Sequence, residues 1–388
     1  MSQNIFPNQS SRLRVGIIGN QAFSLLNFRG PLIADMVAEG CEVLALAPDY
    51  DETTSAKVRA LGAEPVNFSL SRTGMNPARD ATDMLRLAFL LWRLNLDITF
   101  GYAIKPVIYG TLAASLARVP RRFALIPGLG YAFTPSNASE PLKRQLLRNM
   151  VLFLYRIALR RADKVFFQND DDRALFVDEG AVRPERSIRV NGTGVDLDRW
   201  QTAPPITKPV TFLLVARLLR EKGIVEFVEA ARQVKIKHSD VRFILLGGLD
   251  SNPGALSHAE VETWVAEGIL EWLGHVPDVR PWLSQASVYV LPSYYREGVP
   301  RSTQEAMAMG RPVITTDTPG CRDTVINGES GFLVTLRDVE ALAGAMERFI
   351  QQPELIERMG QAGRRIAEER FDVRKINQVI MREMGITK

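Results

Sequence analysis

The sequence predicts an α/β protein of two doubly wound, parallel-sheet domains facing each other across a cleft, and three observations carry that prediction. Short β-branched apolar runs alternate with helical periodicity along the chain, the pattern of βα units around a sheet buried on both faces. The alternation breaks once, at Asn191 to Pro209 (NGTGVDLDRWQTAPPITKP), where turn residues and Pro204, Pro205 and Pro209 interrupt every period. The 388 residues are enough for two or three domains at ~150 residues each.

The first apolar run, Leu13 to Ile18, is followed by a helical pattern at Phe28 to Glu39 and a second run at Cys41 to Ala47, which makes a βαβ unit. Further strands are predicted at Ile98 to Tyr102, Arg122 to Ile126 and Lys164 to Gln168, with helices between them. After the linker the same grammar restarts. Strands are predicted at Val210 to Val215, Arg242 to Gly247, Ile269 to Leu273, Ser287 to Leu291 and Val313 to Thr315. Helices fall at Glu221 to Lys237, Ala259 to Glu267 and Ser302 to Gly310. A last helical pattern, Asp372 to Met384, is expected to pack back on the first domain. The boundaries are therefore placed at residues 1–200, 201–370 and 371–388. Ligands of such sheets bind outside the carboxyl ends of the strands, so the chemistry is expected between the domains.

Composition narrows the function. Apolar residues make up 46% and charged residues 24%, the balance of a globular protein. Cys41 and Cys321 lie far apart with no CxxC, and His238, His258 and His275 form no ligand-spaced pair, so neither a disulfide framework nor a zinc site is expected. Gly16-Ile17-Ile18-Gly19 is not the dinucleotide fingerprint, which argues against a nicotinamide-dependent oxidoreductase. Met1 to Arg14 has no apolar signal core, and no run approaches the ~20 apolar residues of a membrane span. A cytoplasmic setting is expected.

Net charge is +4, and the first 200 residues hold 25 Lys/Arg against 20 Asp/Glu, the remainder 23 against 24. The excess concentrates in Leu142 to Arg161 (LKRQLLRNMVLFLYRIALRR), which has six basic residues and no acid. This is a basic amphipathic helix. It is expected to lie on an anionic membrane surface, with Leu146, Met150, Phe153, Leu154 and Ile157 at the acyl boundary and Lys143, Arg144, Arg148 and Arg160 on headgroups. The competing reading is a core helix with one solvated basic face. No aromatic-interleaved or helix-turn-helix pattern supports nucleic acid.

The densest constellation of reactive residues is REGVPRSTQEAMAMGRPVI, Arg296 to Ile314, between two predicted strands. Glu297 falls in the loop and Glu305 in the following helix. Gly298, Val299, Pro300 and Arg301 precede that helix, whose free N–H groups suit diphosphate oxygens. Arg217 and Lys222, in ARLLREKG after the first strand of the second domain, can hold a diphosphate without a metal. Asp49-Tyr50-Asp51 and Asp196-Leu197-Asp198 match the Asp-x-Asp pattern of metal-dependent sugar transfer, but neither lies beside the diphosphate loop, so both are read as structural. No metal is expected.

At these residues the sequence resembles the retaining glycosyltransferases of the GT-B fold, family 4. ARLLREKG and the Glu-x7-Glu motif of Glu297 and Glu305 carry the resemblance, with LLGG (Leu245 to Gly248), GHVP (Gly274 to Pro277) and GESGFLV (Gly328 to Val334). In the first domain IKPVIYGTLAA (Ile104 to Ala114) and GLGYAFT (Gly128 to Thr134) are similar to bacterial enzymes that extend lipid-linked oligosaccharides, among them N-acetylgalactosaminyltransferases acting on undecaprenyl-diphospho-bacillosamine.

The resemblance implies two Rossmann-like domains. It also implies transfer of a hexose or N-acetylhexosamine, GalNAc foremost, from a UDP-sugar to an undecaprenyl-diphosphate-linked sugar at the inner face of the bacterial membrane, with no cofactor. By it, Glu305 would hold the ribose, Glu297 the transferred sugar, and Arg217 and Lys222 the departing diphosphate. Gly30, read as beginning a helix, would offer its N–H to the same diphosphate, and Gly247, His275 and Val276 would line the nucleotide. Residues 1–237 contain no histidine, unlike many relatives, so Tyr102 or Lys105, with Gly128 and Gly130, are placed on the acceptor side. Two other functions fit this fold: a UDP-sugar epimerase, and a catalytically idle subunit that docks a partner to the membrane. The epimerase leaves the basic helix without a purpose, and the idle subunit has no physical reason to keep Glu297, Glu305, Arg217 and Lys222 together.

Overall fold

The computed structural model describes residues 12–70, 76–130, 133–134, 142–250, 252 and 254–388. The first domain runs β1 (Arg14–Ile18), α1 (Ala22–Ala38), β2 (Glu42–Ala47), α2 (Glu52–Ala60), β3 (Glu64–Asn67), α3 (Pro77–Leu94), β4 (Ile98–Tyr102), a π-turn (Pro106–Gly110) continuing into α4 (Thr111–Leu116), and β5 (Arg121–Ile126). It continues with α5 (Leu142–Leu159), β6 (Lys164–Phe167), α6 (Asp170–Asp178) and β7 (Ser187–Arg189). Its strands pair in parallel in the order β3-β2-β1-β4-β5-β6-β7.

Successive strand residues point to opposite faces, so Ile17 and Ala45 join Leu25, Leu32 and Ile33 of α1 in one core, while Ile18 and Leu46 join Leu87 and Leu91 of α3 in another. Both faces are covered, which explains the continuous apolar runs.

The second domain repeats the plan. It runs β8 (Thr211–Val215), α7 (Ile224–Lys237), β9 (Arg242–Leu246), α8 (His258–Ala266), β10 (Glu271–Trp272), α9 (Arg280–Gln285), β11 (Val288–Leu291), α10 (Arg301–Ala308), β12 (Val313–Thr316), β13 (Gly331–Val334), α11 (Val339–Gln351) and α12 (Glu354–Arg370). The strand order is β10-β9-β8-β11-β12-β13, the same order about the first strand as in the first domain. From α12, which packs on α10, the chain enters α13 (Val373–Glu383). That helix crosses back to α1: Asn377 Nδ2 donates to Asp35 Oδ2 at 2.7 Å, and Ile376, Ile380 and Met381 complete the first domain's core. No described helix is long and apolar enough to cross a membrane.

The structure departs from the sequence reading at three kinds of place. First, α1 begins six residues before Phe28. No side chain of the adjacent Gln21 caps it; the Ala22 N–H instead donates to the Asp49 carboxylate at 2.6 Å, from the loop after β2. Second, β3, β7 and β13 escape the reading because they are short edge strands of four, three and four residues, formed by pairing rather than by local pattern. Third, the helix placed at Glu221 opens only at Ile224, after a 3₁₀ turn at Arg220–Lys222. At α6 the cap is Asn169, whose side chain accepts from the Asp172 N–H at 2.8 Å, and the three aspartates fill the first turn.

Candidate active site

In an open parallel sheet, the neighbouring strands at which the winding direction reverses leave a crevice at their carboxyl ends. In the second domain these strands are β8 and β11. The loop after β8 carries Arg217 and Lys222, and the loop after β11 carries Ser293, Tyr295 and Glu297. The two loops touch closely enough that a Cβ on Gly223 would lie 2.1 Å from the Pro292 carbonyl oxygen, and Gly223 adopts φ +75°. Only glycine fits there, and it separates the 3₁₀ turn from α7.

That approach brings Lys222 and Glu297 together. Lys222 Nζ donates to Glu297 Oε1, Ser293 Oγ donates to the same oxygen at 2.9 Å, and the ammonium lies 5.0 Å from the Tyr295 ring centroid. The side chains are 13% and 11% exposed, so the pair sits at the floor of the cleft. Among the described residues Glu297 Oε2 has no hydrogen-bond partner. Arg217 stands apart, 45% exposed and 2.8 Å from Asp250. Glu305 pairs with Arg301 one turn earlier on α10, at 2.9 Å. Burial raises the Glu305 carboxyl above its usual range, and the Arg301 charge opposes the rise.

The loops after β8, β9 and β10 lie side by side: Leu218 N–H donates to Gly248 O at 3.1 Å and Gly247 N–H to Gly274 O at 2.8 Å. His275 is exposed on their rim, and Val276 packs into the core beneath it.

The first domain grips the Glu297 loop from the other side. Gly128 bridges Glu297, Gly130 N–H donates to Arg296 O at 3.1 Å, and Thr134 Oγ1 accepts from Arg296 N–H at 3.0 Å. The Arg296 guanidinium reaches buried Asp172 at 2.8 Å. Burial raises the Asp172 carboxyl and Arg296 opposes this. Gln168 Oε1 accepts from Val299 N–H at 3.1 Å, and Asn169 Nδ2 donates to Gly298 O at 3.1 Å. Arg301 donates to the carbonyl of Asn27 in α1. That carbonyl is open because Pro31, four residues on, has no N–H.

Two doubly wound parallel sheets define an architecture, and similarity to known proteins assigns it. Residues 209–352 match the glycosyl transferases group 1 family, and residues 30–194 match the glycosyl transferase 4-like domain. The glycosyltransferase EpsD of Bacillus subtilis is 30% identical over 351 residues, spanning 86% of this chain and 84% of that protein. The chain belongs to the group 1 glycosyltransferases.

A second relative, the N,N'-diacetylbacillosaminyl-diphospho-undecaprenol alpha-1,3-N-acetylgalactosaminyltransferase of Campylobacter jejuni, is 29% identical over 88% of this chain and 91% of its own length. Sucrose-phosphate synthase from Thermosynechococcus elongatus superposes with a TM-score of 0.78 at 20% identity, over 96% of this chain and 98% of that one. Anabaena Alr3699/HepE, solved with UDP and glucose, superposes with a TM-score of 0.74 at 18% identity, over 97% and 100%. The fold is GT-B.

For this glycosyltransferase the geometry corrects several residue assignments. Gly30 does not begin a helix; it is the ninth residue of α1, where its N–H belongs to the helix ladder, and the nearest atom to its side-chain position is Leu61 Cδ1 at 3.7 Å. Val299 N–H is spent on Gln168, and Pro300 has none, so the turn before α10 offers a diphosphate less than its position suggests. Gly128 adopts φ +133°, and a Cβ there would meet Gly298 N at 2.5 Å. It and Gly130 therefore dock the first domain against the Glu297 loop.

Lys105 donates to Asp80 at 2.8 Å, and Tyr109 donates to the other Asp80 oxygen at 3.2 Å, so the lysine is neutralised inside its own domain. Tyr102 is buried at the end of β4, its hydroxyl 3.4 Å from Ser24 Oγ, and burial pushes it up to about 12. Lys143's side chain lies outside the described residues; Arg144 donates to Thr134 O, and Arg160 is exposed. Both Asp-x-Asp triplets are structural: Asp49 and Asp51 serve the starts of α1 and α2, Asp196 accepts from Asp198 N–H at 3.1 Å, and Asp198 pairs with Arg374.

Sequence reasoning missed Ser293, Tyr295, Gln168, Thr134 and Asp172. The first two lie within four residues of Glu297 and were within reach of the motif. The others belong to the opposite domain: Thr134 closes the GLGYAFT motif, and nothing local marks Gln168 or Asp172 as facing the Glu297 loop.

Proposed function

We propose that this enzyme transfers a hexosyl or N-acetylhexosaminyl group, N-acetylgalactosamine foremost, from a UDP-sugar to an undecaprenyl-diphosphate-linked sugar, with retention and without a metal, in assembly of a bacterial surface or protein-linked glycan. The observation that carries this reading is the Lys222–Glu297 couple between the loops of the second domain's strand-order reversal. Cleavage of a sugar–phosphate bond develops negative charge on the leaving oxygen, and a fixed cation already in place lowers that barrier. The activity named for the Campylobacter relative supports the donor sugar and the acceptor class, and an Escherichia coli relative named as a UDP-Gal:alpha-D-GlcNAc-diphosphoundecaprenol alpha-1,3-galactosyltransferase, 26% identical over 70% of each chain, supports the lipid-linked class.

Glu297 Oε1 is held by Lys222 and Ser293, which favours a hydrogen-bonding role for the carboxylate and front-side departure and attack over a covalent glycosyl–Glu297 intermediate. In this reading Glu305, on the neighbouring helix, accepts from ribose hydroxyls once Arg301 yields.

Action at the inner membrane face is supported by two helices on one side of the first sheet. On α5, Leu142, Leu146, Met150 and Phe153 are exposed in one stripe while Val151, Tyr155 and Ala158 face the core. On α3, Leu85, Phe89 and Trp92 are exposed at i, i+4, i+7, the two rings stacked at 5.9 Å. Arginines flank both stripes, as an anionic lipid surface requires.

The test is a mass-spectrometric transfer assay in EDTA with a panel of UDP-sugars and synthetic undecaprenyl-diphospho-sugars. A product heavier by one N-acetylhexosamine or hexose supports the reading. Activity only on metal addition removes metal independence, epimerised UDP-sugar without transfer replaces transfer by epimerisation, and a trapped glycosyl–Glu297 adduct removes front-side displacement.

A further inference from the structure

The first domain has its own strand-order reversal, between β1 and β4, and it faces that of the second domain. Arg29 lies there, on α1 beside Tyr102, the last residue of β4. It is 2% exposed, and its Nε has no hydrogen-bond partner. Its guanidinium stacks 5.1 Å from the Tyr102 ring centroid, and among the described residues no carboxylate pairs with it. Burial lowers Arg29 to about 10; Tyr102 opposes the fall, and Arg301, of the same sign, adds to it.

A structural arginine at this depth looks different. Arg311 is equally buried and also lowered to about 10 by burial, but although its Nη1 lacks a partner, its Nε donates to Leu283 O at 2.9 Å and its Nη2 to Ala203 O at 2.8 Å, whereas Arg29 makes no hydrogen bond to the described residues. Burying a guanidinium without such partners is costly, and a retained unpaired cation beside a second cation is explained by an anion that arrives later. Phe28, the residue before Arg29, stacks under Arg301 with the guanidinium 5.5 Å from its ring centroid, so both cations belong to the seam between α1 and the start of α10. The partial positive charge of the α10 N-terminus adds to the same field.

We infer that Arg29, with Arg301 and the first turn of α10, forms a diphosphate-binding point on the first-domain side of the cleft, distinct from Arg217 and Lys222. The diphosphate belongs to the nucleotide donor or to a lipid-linked acceptor; this rests on the chain's being a glycosyltransferase of diphosphate substrates.

The test compares wild type with R29M and R29K by calorimetry and thermal melting, using uridine, UDP, inorganic diphosphate and farnesyl diphosphate as probes. Because Met removes an unpaired buried charge, ligand-free R29M is expected to melt no lower than wild type. Its affinity for UDP, farnesyl diphosphate or both is expected to fall by about tenfold or more, with uridine unaffected. R29K, which keeps the charge but not the planar fork, should lose a smaller factor and covers the case in which R29M does not fold. Loss confined to UDP assigns the donor, and loss confined to farnesyl diphosphate assigns the acceptor. Unchanged affinity for all three diphosphate probes in the folded variants, an equal loss for uridine, or a wild type that binds none of the three overturns the inference. Wild type that binds UDP and not farnesyl diphosphate counts against the lipid acceptor alone, and the UDP arm still decides Arg29.

Discussion

Glu297 commits one carboxylate oxygen to Lys222 and Ser293 and leaves the other toward the cleft. If Lys222 is the cation that meets the leaving diphosphate, K222A is expected to lower kcat by about 10²- to 10³-fold, the size seen for loss of one preorganised electrostatic donor. UDP release at saturating donor measures it, and an unchanged kcat removes the assignment. Arg217 is half exposed and held by Asp250, so R217A is expected to cost less than K222A in the same assay. Glu305 makes a separate prediction through its ionisation. Burial lifts its carboxyl above the usual range, so the folded chain keeps that proton over a pH interval in which the unfolded chain has lost it. Stability is therefore fully retained below the interval and falls as pH rises through the folded value. E305Q lacks this titration, so its melting temperature relative to wild type should climb as pH rises through and above the ordinary carboxylate range; a constant or falling difference would contradict it. The motif made Glu297, Glu305 and Lys222 legible as residues of interest. It did not show that Glu297 is matched to Lys222, because that pairing depends on how two loops about 75 residues apart meet, whereas Arg301 and Glu305 pair within one turn of α10.

Among the elements, α5 was legible as a basic amphipathic helix because its charge and periodicity are local. α3 was not singled out, since an exposed Leu85, Phe89 and Trp92 can be told from a core stripe only when the packing is known. Substituting F89D with W92D, or L146D with F153D, is expected to reduce sedimentation with anionic vesicles severalfold while leaving the melting temperature within a few degrees, because these side chains contribute little to the core. Equal binding of both double variants and wild type would assign the stripes no role at lipid. The start of α1 shows the opposite limit: its first N–H is served by Asp49 and its broken rung at Asn27 by Arg301, partners 27 and 274 residues away. No local reading of capping residues could have placed that boundary.

At the scale of the molecule, the domains are tied by the Gly128–Glu297 bridge, the Arg296–Asp172 ion pair and the return of α13 to α1. Truncation after Phe371 would strip Ile376, Ile380, Met381 and Met384 from the first core. At about 1.5–3 kcal/mol for each buried apolar side chain, the loss is comparable to the ~5–15 kcal/mol that holds a whole domain. The truncated chain is expected to expose its first domain to limited proteolysis under conditions in which the full chain resists; equal resistance would show that α13 is dispensable.

The sequence by itself determined two parallel-sheet units and singled out Glu297, Glu305, Arg217 and Lys222, because hydrophobic period and motif spacing act over a few residues. Only the tertiary structure decided which of those residues are available. It spends Lys105 on Asp80, Val299 N–H on Gln168 and the Gly30 N–H on a helix interior, and it leaves Arg29 Nε buried without a hydrogen-bond partner. The physical reason is that a polar group's role depends on what else competes for its hydrogen bonds, and in a two-domain fold the competitors come from the other end of the chain.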